Sequence, residues 1–212
     1  MKLYVRYIIY VIVTVAFSFA RAGAYDDFFI AVKRDDDRAV TALLARGFDP
    51  NSRDPKGQTG LILAMRDESQ RVAEALWKSQ ALDVNVQNAS GETALMMAAL
   101  RGNVAWMQRL LERGAQVHKD GWSPIHYAAT GPEVKAVAML IERGAPIEAS
   151  SPAQDTPLMM AARYGAEASV DLLLSRGASV TTRNARQLDA VDFARLGGRD
   201  FLVERLQKSV KR

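Results

Sequence analysis

The chain has 212 residues, with 28 basic and 24 acidic side chains, a net charge of +4 and no cysteine. Without cysteine there is no disulfide framework, no lipid attachment at a thiol and nothing to oxidise at sulfhydryls after export. No run of Lys or Arg and no interleaving of basic with aromatic residues occurs, so the basic balance gives nucleic-acid binding no support.

The first 24 residues stand apart. Lys2 and Arg6 precede fourteen uncharged residues (7–20) rich in Ile, Val and Phe, and Ala22-Gly23-Ala24 supplies small residues for cleavage. This pattern predicts a cleavable secretory signal peptide. At 1.5 Å per residue its apolar core spans roughly 21 Å, short of the ~30 Å of hydrocarbon that a spanning helix must cross. The expectation is export and cleavage after Ala24, without stable membrane insertion afterwards; the alternative is an uncleaved inner-membrane anchor. Loss of Lys2, Arg6 and Arg21 leaves 25 basic and 24 acidic groups, or +1 (25 − 24).

Beyond residue 24 the chain repeats itself. Leu43-Leu44-Ala45-Arg46-Gly47, Leu110-Leu111-Glu112-Arg113-Gly114 and Leu173-Leu174-Ser175-Arg176-Gly177 share one motif, with a variant at Leu140-Ile141-Glu142-Arg143-Gly144. An Ala lies sixteen residues before each Gly, at Ala31, Ala98, Ala128 and Ala161; Ala64 keeps that interval to Gln80, where the glycine is lost. Such self-similarity predicts stacked supersecondary units, none able to bury its apolar face alone. Thr59, Thr93, Ser123, Thr156 and Asp189 are placed to cap helices, with Pro124 and Pro157 at the position where a missing N–H does no harm. From each cap an alanine-rich first helix runs about two turns, to Gly102 or Gly165 in two units. A second helix, as in Val104, Met107, Leu110 and Leu111, ends at the glycine of Arg-Gly, which suits a left-handed position. Between units, intervals such as 84–93 predict extended fingers with a turn at Ala89-Ser90-Gly91.

Ser123-Pro124-Ile125-His126-Tyr127-Ala128 resembles the T-P-L-H-x-A pattern of the ankyrin repeat, as do Thr156-Pro157-Leu158-Met159-Met160-Ala161 and Thr93-Ala94-Leu95-Met96-Met97-Ala98 in part. The caps are spaced 34, 30, 33 and 33 residues apart. The resemblance implies an all-α repeat, an ankyrin-repeat solenoid of about five to six helix-turn-helix units with short extended fingers, over residues 25–53, 54–87, 88–118, 119–149, 150–183 and 184–212. The finger before Trp122 is three residues short, which predicts a disturbed row of tips. Asp35, Asp36, Asp37, Lys208, Lys211 and Arg212 fit the polar outer faces of terminal units.

No nucleophile elbow, phosphate loop or metalloprotease helix motif is present. His126 is expected to tie a helix start to a finger, and His118 to be solvated. Asp35-Asp36-Asp37 is read as a helix-capping run and the methionines as adaptable core filler, with half of each Met pair able to face the inner surface. No cofactor, metal or catalytic residue is assigned, and the chain is expected not to be an enzyme; a convergent, unrecognised site is the remote alternative.

What the family resemblance implies is a protein partner held by finger tips and first helices. Carried onto this chain, that surface comprises Pro55, Lys56, Gln58, Ala89, Ser90, Glu92, Trp122, Pro152, Ala153 and Asp155 on fingers, with Arg66, Leu100, Arg101, Thr130, Arg163 and Tyr164 on helices. Lys56, Arg66, Leu100, Arg101, Trp122, Arg163 and Tyr164 are the chosen partner-binding residues. Arg66, Arg101 and Arg163 are read as occupying equivalent places, which suggests a partner with acidic groups. Resemblance to small periplasmic ankyrin proteins implies a periplasmic module supporting or regulating an exported protein such as an oxidative-stress enzyme, or alternatively an immunity protein neutralising a delivered toxin; the chain on its own is expected to be a monomer.

Overall fold

Capping residues set the helix starts in a computed structural model that describes residues 23–210. The described residues fall into two compact units, one ending at Asp83 and the other beginning at Val84. The first holds helical residues 23–33 (α1), α2 (Asp37–Ala45), α3 (Gly60–Asp67) and α4 (Gln70–Trp77). The second holds α5 (Ala94–Arg101), α6 (Val104–Glu112), α7 (Pro124–Thr130), α8 (Val134–Glu142), α9 (Pro157–Tyr164), α10 (Glu167–Ser175), α11 (Ala190–Leu196) and α12 (Asp200–Val210). The predicted all-α repeat of paired helices is what the structure shows. The signal segment expected over residues 1–24 lies, except for Gly23 and Ala24, outside the described residues. No helix among the described residues is long and apolar enough to cross a membrane.

Four of the five predicted caps act through their side chains. Thr59, Thr93 and Thr156 accept from the amides of Ile62, Met96 and Met159, and Asp189 accepts from Val191 and Asp192. Ser123 departs from this. Its hydroxyl is buried without a partner among the described residues, and the start of α7 is held by the residue three positions on: His126 Nδ1 accepts from the Ser123 amide at 3.2 Å. The imidazole thus supplies the reciprocal half of the cap, while the Ser123 carbonyl, and not its hydroxyl, accepts from the His126 amide at 3.0 Å. The glycines of Arg-Gly, Gly47, Gly114, Gly144 and Gly177, all take left-handed φ between +86° and +92°.

The acidic run divides its work. Asp36 caps α2 through Ala39, and Asp37 pairs with Arg71. Asp35, half-buried at φ +52°, reaches forward to α4: its Oδ1 accepts from the Val72 amide at 2.8 Å. Ser69, at the N-cap of α4, makes no side-chain bond there. The expectation that all three aspartates serve a solvated outer face is therefore corrected for Asp35, which joins one repeat to the next. Lys211 and Arg212 lie outside the described residues.

In the second unit the first helices α5, α7, α9 and α11 pack side by side, while α8 contacts both α6 and α10. Helices of seven to eleven residues are too short to persist alone in water, so burial between neighbours holds them. Leu95, Met96, Ile125, Leu140, Leu158 and Leu173 are essentially without solvent contact. Glycine permits the closest approach between successive repeats. A Cβ on Gly131 would lie 2.6 Å from the Leu100 carbonyl oxygen, on Gly165 2.0 Å from that of Ala129, and on Gly197 2.6 Å from that of Arg163.

Four fingers share one device. Asp54, Asn88, Ser151 and Asn184 each use a side-chain oxygen to accept two amides, those two and four residues ahead. In each, the residue three ahead (Gly57, Gly91, Gln154, Gln187) is left-handed and donates back to the carbonyl of the closing residue. The shortened finger, residues 116–122, turns instead through Gly121 at φ +77° directly before Trp122. Its Lys119 reaches back and donates to the Gly91 carbonyl at 3.2 Å.

Candidate partner-binding surface

The second unit carries a cleft of about 240 Å3 where α5, α7 and α9 run side by side at the root of the short finger. Leu100 from α5, Trp122 from the finger, His126, Tyr127 and Thr130 from α7, and Met160 from α9 line it. Trp122 is half-buried and meets the rings of His126 and Tyr127 edge-on, with centroids 5.3 and 6.4 Å away. An edge-on aromatic contact fixes the indole without hiding both of its faces.

Behind the cleft the polar groups are satisfied. His126 is fully buried; its Nε2–H donates to the carbonyls of Ala149 (3.0 Å) and Asp155 (3.1 Å), on either side of the next finger, while Nδ1 accepts from Ser123. That set of partners requires the neutral Nε2–H tautomer. Burial, partly opposed by the carbonyl contacts, pushes its pKa below the ordinary histidine value. The predicted tie between helix start and finger is thus present in detail. The Tyr127 hydroxyl donates to Glu92 Oε1 at 2.9 Å, and burial with that carboxylate nearby raises the phenol's pKa. Thr130 Oγ1 donates to the His126 carbonyl at 2.8 Å.

The other chosen residues separate into groups. Arg163 is half-buried with its guanidinium 4.8 Å from the ring centroid of Tyr164, which is itself 53% exposed; together they form a cation and ring platform at the end of α9. Arg101 is exposed at the end of α5. In the first unit, Lys56 is exposed on its finger, and Arg66 is held bidentately by Asp67 at 2.8 and 3.0 Å. Part of the basic character expected of Arg66 is therefore neutralised by its own neighbour. The equivalence of the three arginines also needs correction. Arg66 and Arg163 follow Thr59 and Thr156 by seven residues (66 − 59, 163 − 156), but Arg101 follows Thr93 by eight (101 − 93), and Leu100 holds the shared register. Asp155, expected on the finger surface, is buried and accepts from Asn184 Nδ2 at 2.7 Å. Glu92 is half-buried and takes the Asn88 amide as well as Tyr127.

Tyr127 and Met160 were not among the residues expected to bind a partner, although both line the cleft. The signal was available: each occupies the variable x of T-P-L-H-x-A, four residues after its cap. Met159 and Met160 divide as expected, one buried and one facing the cleft, whereas Met96 and Met97 are both buried. Among the described residues no group of three or more His, Cys, Asp or Glu side chains is placed to hold a metal ion.

A family model for ankyrin repeats in three copies matches residues 28–119 and 107–184. Relatives include the human SH3 and multiple ankyrin repeat domains protein 2, 32% identical over 167 residues, covering 76% of this chain and 9% of that protein. The mouse B-cell lymphoma 3 protein homolog is 31% identical over 152 residues, 68% of this chain and 34% of its own. The human transient receptor potential cation channel subfamily A member 1 is 27% identical over 161 residues, 71% of this chain and 14% of its own. The chain spans about a third or less of the length of each.

Proposed function

Because this chain belongs to the ankyrin-repeat family, whose repeats form protein–protein interaction modules, we propose that it is a non-catalytic module exported to the bacterial periplasm, where it binds and supports or regulates a partner protein such as an oxidative-stress enzyme. The export half of this reading draws on the sequence of residues 1–24, with its basic start, apolar core and small residues before Tyr25. The binding half draws on one observation: the aromatic cleft of Leu100, Trp122, Tyr127 and Met160, with Arg163 and Tyr164 one turn beyond it on α9. Trp, Tyr and Arg dominate interface energetics when they are desolvated.

Two measurements test the halves separately. Fusing residues 1–24 to a reporter active only after export should give activity, and amino-terminal sequencing of the mature chain should begin at Tyr25. An inactive fusion removes the export reading. Affinity capture from periplasmic extract should recover a partner with the natural chain and much less with the Arg101→Glu/Arg163→Glu double variant. Equal recovery by both removes these arginines from the binding surface, and recovery of a delivered toxin would transfer the chain to the immunity role.

A further inference from the structure

We infer that the cleft beside Trp122 receives one bulky apolar side chain, aromatic or leucine-sized, presented by a segment of a partner protein in which a carboxylate stands next to that side chain. This rests on the reading of the chain as an interaction module and adds to it the chemistry of what is bound.

Size is the first argument. At about 240 Å3 the cleft lies below the roughly 300–1,000 Å3 usual for small-molecule sites, and it suits a single large side chain. Its lining is the second. Leu100, Trp122 and Met160 supply apolar and aromatic walls, while His126 and Thr130 have already committed their donors to backbone carbonyls. A polar guest would find few groups left to bond, so an apolar one is favoured.

Charge at the border gives the third argument. The carboxylates beside the lining residues are engaged within the repeats: Glu92 takes the Tyr127 hydroxyl and the Asn88 side-chain amide, and Asp155, next to His126, takes the Asn184 side-chain amide. Arg163 sits one helical turn beyond Met160, supported on the Tyr164 ring. Residues three apart on a helix are neighbours on one face, so an apolar hole with Arg163 one turn from its Met160 wall complements an apolar side chain flanked by an anion. The opening lies at the root of the finger that, among the described residues, lacks the common closing turn and ends in Trp122.

Phage-displayed random peptides, panned on the full chain, test the inference. The expected enriched peptides place Trp, Phe, Tyr or Leu beside Asp or Glu, and bind at least about ten-fold more weakly to Met160→Lys. Trp122→Ala should weaken them as well, and urea unfolding of both variants establishes that each is folded; the two substitutions act from different elements, so either folded variant suffices. Peptides that bind both folded variants as tightly as the natural chain would overturn the cleft while leaving the interaction module standing. Enrichment of basic peptides sensitive to Met160→Lys would overturn the carboxylate. No enrichment on any form would overturn the cleft and count against the interaction reading itself.

Discussion

The carboxylate of Asp35 accepts the backbone amide of Val72, thirty-seven residues later, at 2.8 Å. An N-terminal amide of α4 is therefore satisfied by the preceding repeat, since the Ser69 side chain makes no capping bond. Asp35→Ala should cost about 1–2 kcal/mol, the upper part of the usual capping range. The left-handed backbone at residue 35 adds to it, because Ala tolerates that conformation poorly. Asp35→Asn, which tolerates it and keeps an acceptor, should lose less. Urea unfolding at neutral pH measures the difference; equal losses would refute the cap.

His126 should make stability depend on pH in mild acid. The unfolded chain carries an ordinary histidine near pH 6.5, whereas the folded ring has a lowered pKa because it is buried with its one proton already donated. Above about pH 6.5 both states are neutral and the full contribution is present. As pH falls, the unfolded chain takes up a proton that the folded chain resists, and stability drops until the lowered folded pKa is passed. Denaturation midpoints between about pH 7 and pH 5.5 should fall for the natural chain and flatten for His126→Asn. An unchanged slope would show that this ring is not the titrating group.

Gly165 is held by space and not by backbone conformation. Its φ of −84° and ψ of −179° suit any residue, yet a Cβ there would meet the Ala129 carbonyl oxygen at 2.0 Å. Gly165→Ala should therefore destabilise by at least the 1–3 kcal/mol typical of overpacking. Gly144→Ala provides the opposite control, with open space around it but φ at +90°, and should cost about 1–2 kcal/mol from strain alone. A neutral Gly165→Ala would mean that the neighbouring repeat can move aside.

Leu110 and Leu173 come from equivalent second helices and neither has any solvent contact. Truncating either to Ala should cost about 2–5 kcal/mol, set by how far its surroundings can collapse. A shift in Tm or in the urea midpoint reports it directly, and an unchanged value would show that the assigned core is wrong.

Features written in one local stretch of chain are legible in the sequence. Thr59, Thr93 and Thr156 precede their helices directly, and Gly114 or Gly177 follows directly, so cap and stop signals sit beside the elements they bound. Apart from the His126 tie, which the family pattern marks, interactions that cross from one repeat to the next were not readable. Asn51 donates to the Ala81 carbonyl and accepts from Asp83, Asn85 does the same with Gly114 and Gln116, and Glu148 accepts from Ser179. Nothing in a linear sequence marks those pairs, some thirty residues apart. Chemical variety hid the finger closers too, because Asp54, Asn88, Ser151 and Asn184 share an oxygen acceptor and not a residue type. The cleft has no linear signature because Tyr127 and Met160 differ from each other and stand where the family pattern places no requirement.

The finger closers carry one more implication. A turn fastened from its base by a single oxygen asks only for a backbone N–H at Lys56, Ser90 and Ala153, and so makes no demand on the exposed side chains ahead of it beyond excluding proline there. Those letters can be rewritten while the loop keeps its shape, so new specificities can arise by substitution alone, without insertion and without loss of the scaffold that displays them.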